Sequence, residues 1–199
     1  LARPAKVVVP LLGAALLLSS CSSTSSDEPI QPEVASTGYS VEHAMGTTEI
    51  PETPTRVVVI DSPHLDALLA LGITPVGATE SGSENGFPTY LADELKGTES
   101  VGLTSEPNLE KIAALDPDLI IGAKVRHEAI YDQLSDIAPT VMSEGSGTNW
   151  NEQAEITAAA VNKSDEMDKL IADLDTRAKD LGEEIGAEGQ TASMVRFRP

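Results

Sequence analysis

The chain has 199 residues, 13 Lys and Arg against 32 Asp and Glu, a formal charge of −19 and a single Cys. The length allows one or two small domains. The charge excludes sequence-independent nucleic-acid binding, which needs basic residues to displace counterions from phosphates, and it excludes a polybasic membrane patch. One cysteine excludes an internal disulfide framework and any multi-cysteine zinc site.

Arg3 and Lys6 precede an apolar run from Val7 to Leu18. This pattern predicts a signal peptide over residues 1–20, because the run falls short of the roughly 20 residues a membrane span needs. Leu18-Ser19-Ser20-Cys21 follows. It resembles the bacterial lipobox, which implies a diacylglycerol on the Cys21 thiol, cleavage before Cys21 and acylation of the new amino terminus. Such a protein sits on the extracytoplasmic face of the cell membrane, lipid-anchored. Removing residues 1–20 takes away Arg3 and Lys6 and no acid, which moves the charge from −19 to −21. Residues 21–38 are rich in Ser, Thr, Pro and acids and predict a disordered tether.

The body alternates strand and helix patterns. Tyr39 to Ile50 alternates around Gly46 and predicts a hairpin. Arg56 to Ile60 is a β-branched run of the kind a buried parallel strand needs. Ser62 is expected to cap a helix that starts at Pro63, carries Leu65, Leu68 and Leu69, and ends at Gly72. A short strand is expected at Pro75–Ala78. Asn108 is expected to cap a helix from Leu109 to Leu115 that stops at Asp116-Pro117. Leu119 to Gly122 predicts another buried strand, and Ile130, Leu134 and Ile137 mark a third helix. Trp150 to Val161 predicts an alanine-rich helix. Ser164 is expected to cap a long amphipathic helix through Met167, Leu170, Ile171, Leu174, Ala178, Leu181 and Ile185, with Asp165 and Glu166 suiting its first turn. Thr191 to Phe197 predicts the start of a further strand. The fold class is α/β, a parallel sheet covered by helices on both faces.

Together these stretches resemble the substrate-binding lipoproteins of ABC importers for ferric siderophores, haem and cobalamin. Asn108 to Ile121, Tyr131 to Val141, and Arg56 to Val59 with Leu68 to Ile73 carry the likeness. The resemblance implies two α/β lobes joined by one long helix, with ligand between them. It places the N-terminal ligand-binding lobe at 39–162 and the interlobe helix at 163–186. The start of a C-terminal lobe falls at 187–199, so the sequence is expected to be C-terminally truncated. It implies a ferric siderophore as cargo, ABC permease subunits and the membrane as partners, and no cofactor. Haem or cobalamin binding, or an anchored protein-interaction domain, are the alternatives.

In open α/β sheets ligands bind outside the carboxyl ends of the strands. Between residues 41 and 150 the basic residues are Arg56, Lys96, Lys111, Lys124 and Arg126. Lys124 and Arg126 fall together just after a strand, where an Arg fork suits carboxylate or catecholate oxygens. The resemblance implies ligand contact for Arg126; the alternative is a surface pair with Glu128 or Asp132. His127 is read as a solvated neighbour. Trp150 either stacks on ligand or packs under the next helix. Phe87 and Tyr90 are candidate cleft walls. His64 either faces the cleft or has no ligand role, and Arg198 falls near an Arg position of the second lobe. No catalytic motif is present, so no enzyme activity is expected. The three scattered histidines offer no metal-ligand spacing.

Overall fold

The computed structural model describes residues 38–81, 86–147, 149–193 and 195. The leader, Cys21, most of the tether and Arg198 lie outside the described residues.

Strands β1 (Tyr39–His43) and β2 (Gly46–Ile50) form the expected antiparallel hairpin, with His43 opposite Gly46. Gly46 takes φ 125°, a conformation that side chains disfavour. The hairpin is stapled to the main sheet by His43. Its Nδ1 accepts the N–H groups of Met45 and Met142, so its Nε2 carries the proton toward the Thr48 hydroxyl, which in turn donates to the Thr140 carbonyl. The Tyr39 hydroxyl adds a second tie by donating to the Ala160 carbonyl at 2.9 Å.

The main sheet is built from β3 (Val57–Val59), β4 (Gly77–Glu80), β5 (Glu99–Leu103), β6 (Glu106–Pro107), β7 (Leu119–Ala123) and β8 (Thr140–Ser143). Its spatial order is β6-β5-β4-β3-β7-β8. Every pairing is parallel except β5 with β6. Alternation along the strands divides the core in two. Val57, Val59, Leu119, Ile121 and Val141 face one side, with Leu65 and Leu68 of helix α1 (Ser62–Ala70) and with Ala160. Val58, Ile60, Ile120 and Met142 face the other, with Ile112 of α2 (Leu109–Ala114) and Leu134 of α4 (Tyr131–Ser135). Burial on both faces is why these strands read as unbroken apolar runs.

Helix α5 (Trp150–Ala160) lies beside α1, and α6 (Ser164–Glu184) begins after a two-residue turn and Lys163. Met167 of α6 packs on Ala67, Ala154 and Ala158. Farther along, Leu170, Leu174, Leu181 and Ile185 are exposed.

Several local expectations are corrected. The cap of α1 is Asp61, not Ser62: Asp61 has extended backbone and its carboxylate accepts the Ser62 N–H. Ser164 is the first residue inside α6, and Lys163 before it makes no side-chain cap. The expected helix around Ile130 is broken into α3 (Lys124–His127), a 3-10 turn at Glu128–Ile130, and α4. The short strand runs at Gly77–Glu80, two residues later than its pattern suggests. Strands β5 and β6 were not expected. Residues 191–193 and 195 are not in a strand, and the rest of that stretch lies outside the described residues.

Candidate functional site at the carboxyl ends of the strands

From β3 the chain winds outward through β4 and β5, then returns to place β7 and β8 on the other side of β3. The connections therefore diverge at β3 and β7, and the crevice of such a sheet opens at their carboxyl ends. Asp61 leaves the end of β3, and Lys124 and Arg126 leave the end of β7.

Each cation there has a carboxylate. Arg126 Nε lies 3.5 Å from Asp61 Oδ2, and Lys124 Nζ lies 3.3 Å from Glu144 Oε2. The partner of Arg126 is thus a buried acid from a neighbouring strand, not Glu128 or Asp132. The Arg126 side chain is 47% exposed. Its terminal nitrogens have no hydrogen-bond partner among the described residues.

His127 is buried, not a solvated neighbour. Its Nδ1 accepts the Ala123 N–H, so Nε2 donates to the Thr104 carbonyl at 2.9 Å. Burial lowers its pKa. The ring bolts the first turn of α3 to the β5–β6 turn and leaves Arg126 as the outward cation.

The reading of His64 as a cleft residue is corrected. It is fully buried, in the first turn of α1. Nδ1 lies 2.8 Å from Thr157 Oγ1 and Nε2 2.9 Å from Ser143 Oγ. Thr157 donates to the Gln153 carbonyl, and Gln153 Nε2 donates to the Gly145 carbonyl. A neutral ring carries one N–H. Donation from Nδ1 to Thr157, with Ser143 turned onto Nε2, leaves every group partnered, because Gly145 keeps the Gln153 donor. Burial pushes the His64 pKa down to about 4. Gln153 Oε1 also accepts the Gly147 N–H, so the network holds the loop at Gly145 and Gly147.

Trp150 is 51% exposed at the start of α5. It lines an apolar groove of about 570 Å³ with Pro63, Ala67, Met167, Leu170 and Leu174. Neither Lys124 nor Arg126 lines that groove. Asp66 at its edge has a pKa raised by burial. Phe87 packs partly against the core on the α1 side, and Tyr90 is 72% exposed on the 3-10 turn Thr89–Leu91. Just ahead of Phe87, the Gly86 N–H donates to Glu80 Oε2 at 3.1 Å.

Sequence reasoning missed Asp61, Glu144 and the Ser143–Gln153–Thr157 group. Asp61 alone carried a local signal, as a capping residue type ahead of Ser-Pro.

This is one α/β lobe, followed by a long helix, with an outward arginine at the switch point, the place where open α/β sheets bind ligands. The family described as periplasmic binding protein matches residues 57–198, and the chain belongs to it. The Bacillus subtilis (strain 168) relative named "Probable siderophore-binding lipoprotein YfiY" is 47% identical over 188 residues, covering 94% of this chain and 58% of that protein. Another from the same organism, the Fe(3+)-citrate-binding protein YfmC, is 36% identical over 178 residues, covering 88% of this chain and 56% of that one. Among solved structures, Staphylococcus aureus SirA complexed with staphyloferrin B superposes with TM-score 0.71 at 38% identity, covering 76% of this chain and 52% of that one. The chain therefore spans little more than half the length of these relatives.

Proposed function

We propose that the chain supplies the first lobe and the linking helix of a lipid-anchored, extracytoplasmic substrate-binding protein. In this reading it captures a ferric siderophore for an ABC permease. Cys21 carries the anchor, residues 21–38 form the tether, 39–162 the ligand-binding lobe, 163–186 the interlobe helix, and 187–199 the start of a second lobe. The observation that carries the reading is Arg126: a half-exposed guanidinium at the switch point of a family lobe, with unbonded terminal nitrogens.

The action is capture, not chemistry on the cargo. Iron arrives wrapped in its chelator. Arg126 offers a planar fork to two chelator oxygens. Lys124 takes a further anionic group once Glu144, its exposed partner, swings away. Trp150, Phe87 and Tyr90 supply apolar walls, and Arg198 contributes from beyond the linking helix. His64 acts only from below.

Calorimetric titration tests this in the longest form the gene encodes, with ferric citrate and with ferric hydroxamate and catecholate chelates. At least one is expected to bind at micromolar concentration or tighter, and Arg126→Ala to weaken it. Heat from none of the three chelates would overturn the reading.

A further inference from the structure

Asp61 is the anomaly of the site. It stands two residues past the end of β3 and is 2% exposed. Its Oδ1 accepts the Ser62 N–H at 3.0 Å, which fixes the carboxylate at the start of α1. Its Oδ2 is buried without a hydrogen bond. A buried carboxylate oxygen with no donor is costly unless a charge compensates it. The compensating charge is Arg126, whose Nε lies 3.5 Å away, close enough to pair yet outside hydrogen-bonding geometry. Among the described residues no other nearby group serves. Both nitrogens of His64 face Ser143 and Thr157, and both of His127 face Ala123 and Thr104.

We infer that Asp61 is the positioning residue of the binding site: it holds the Nε edge of Arg126 from below, so that the outer edge of the guanidinium is presented to the ligand. The ligand half of this inference rests on the proposed function. The guanidinium is planar, so fixing one edge fixes the direction of the other. Arg126 makes no other polar contact among the described residues, which leaves Asp61 as its orienting partner. Lys124 and Glu144 form the contrast. That pair is exposed and can open. Asp61 is tied to a helix cap and cannot leave.

Charge and positioning predict opposite outcomes. Deleting a negative charge beside the site favours an anionic ligand. Deleting the anchor of Arg126 disfavours it. Asp61→Asn separates the two, because Asn keeps the shape and is an equally good cap. The first measurement needs no ligand: the order parameter of the Arg126 Nε–H bond, from nitrogen-15 relaxation. It is expected to fall below about 0.6 in Asp61→Asn and to stay unchanged in Glu144→Gln. An equal order parameter in Asp61→Asn and wild type would overturn the inference. The second is the affinity for ferric citrate in the longest form the gene encodes, where a loss of about tenfold is expected. Unchanged or tighter binding would show that Asp61 merely tempers charge. If wild type binds no chelate, the functional reading fails, and the relaxation measurement still decides the positioning role. If Asp61→Asn does not fold, Arg126→Lys carries the test. A single ammonium cannot serve Asp61 and a ligand pair at once, so binding as tight as wild type would contradict the inference.

Discussion

His64 gives the structure a specific acid sensitivity. Its ring is fully buried among Thr157, Ser143 and Gln153, and burial pushes its pKa down to about 4 from an ordinary value of 6.5. The folded state therefore binds fewer protons at this site than the unfolded chain. The stability that His64 contributes is whole above about pH 6.5, falls as pH drops, and is gone at about pH 4. One pKa unit corresponds to about 1.4 kcal/mol, so the full loss is on the order of 3 kcal/mol, with roughly 2 kcal/mol already gone at pH 5. Asp61 nearby favours the charged ring and His127 opposes it, and burial outweighs both. The perturbation is His64→Leu, similar in volume but unable to titrate. In that variant the Ser143 hydroxyl turns to the Gly145 carbonyl, 2.7 Å away, and Thr157 keeps the Gln153 carbonyl. Urea unfolding is measured at pH 7 and pH 5 for both proteins. Wild type is expected to lose about 2 kcal/mol more than the variant between the two, which is about 1 M of urea midpoint at a slope near 2 kcal/mol/M. Equal losses would refute the buried, neutral histidine.

Three further outcomes follow from the packing. Gly122→Ala places a Cβ 2.7 Å from Ile60 Cγ1 and 3.0 Å from Met142 Sδ, and is expected to cost about 1–3 kcal/mol, visible as a drop in thermal midpoint. Asn108→Ala removes the acceptor for the Lys111 N–H at the start of α2 and is expected to cost about 1 kcal/mol in denaturant unfolding. Glu144→Gln opens an exposed ion pair and is expected to change stability by less than about 1 kcal/mol, with the difference shrinking in high salt.

What was legible in the sequence follows from how the residues are buried. Val57 to Ile60 and Leu119 to Ile121 are enclosed on both faces, so their apolar runs announce strands without help from topology. Strand β5 buries only Val101 and contains a glycine, and β6 is two residues long with a proline at an edge, so neither leaves a periodic trace. The helix expected around Ile130 shows its limits in a different way. The apolar spacing is present, yet the chain after β7 spends its first turn anchoring His127 and must restart at Tyr131.

The site was legible only in part. A cation pair after a strand stands out in so acidic a chain, and Lys124 and Arg126 were found on that ground. Their partners were not, because Asp61 and Arg126 meet only when β3 and β7 become neighbours, which requires a crossover that local pattern does not encode. His64 stayed open for the same reason. Its partners lie 79 and 93 residues farther along, and without them a histidine at a helix start reads equally as a cleft residue or as one with no ligand role.

In the proposed function, ligand is held at the carboxyl ends of β3 and β7. The most direct measurement is hydrogen exchange across the backbone with and without saturating ferric citrate, in the longest form the gene encodes. Added protection is expected at residues 61–64, 123–127 and 143–150, with the β1–β2 hairpin unchanged. Protection on the hairpin, with those three segments unaffected, would contradict it.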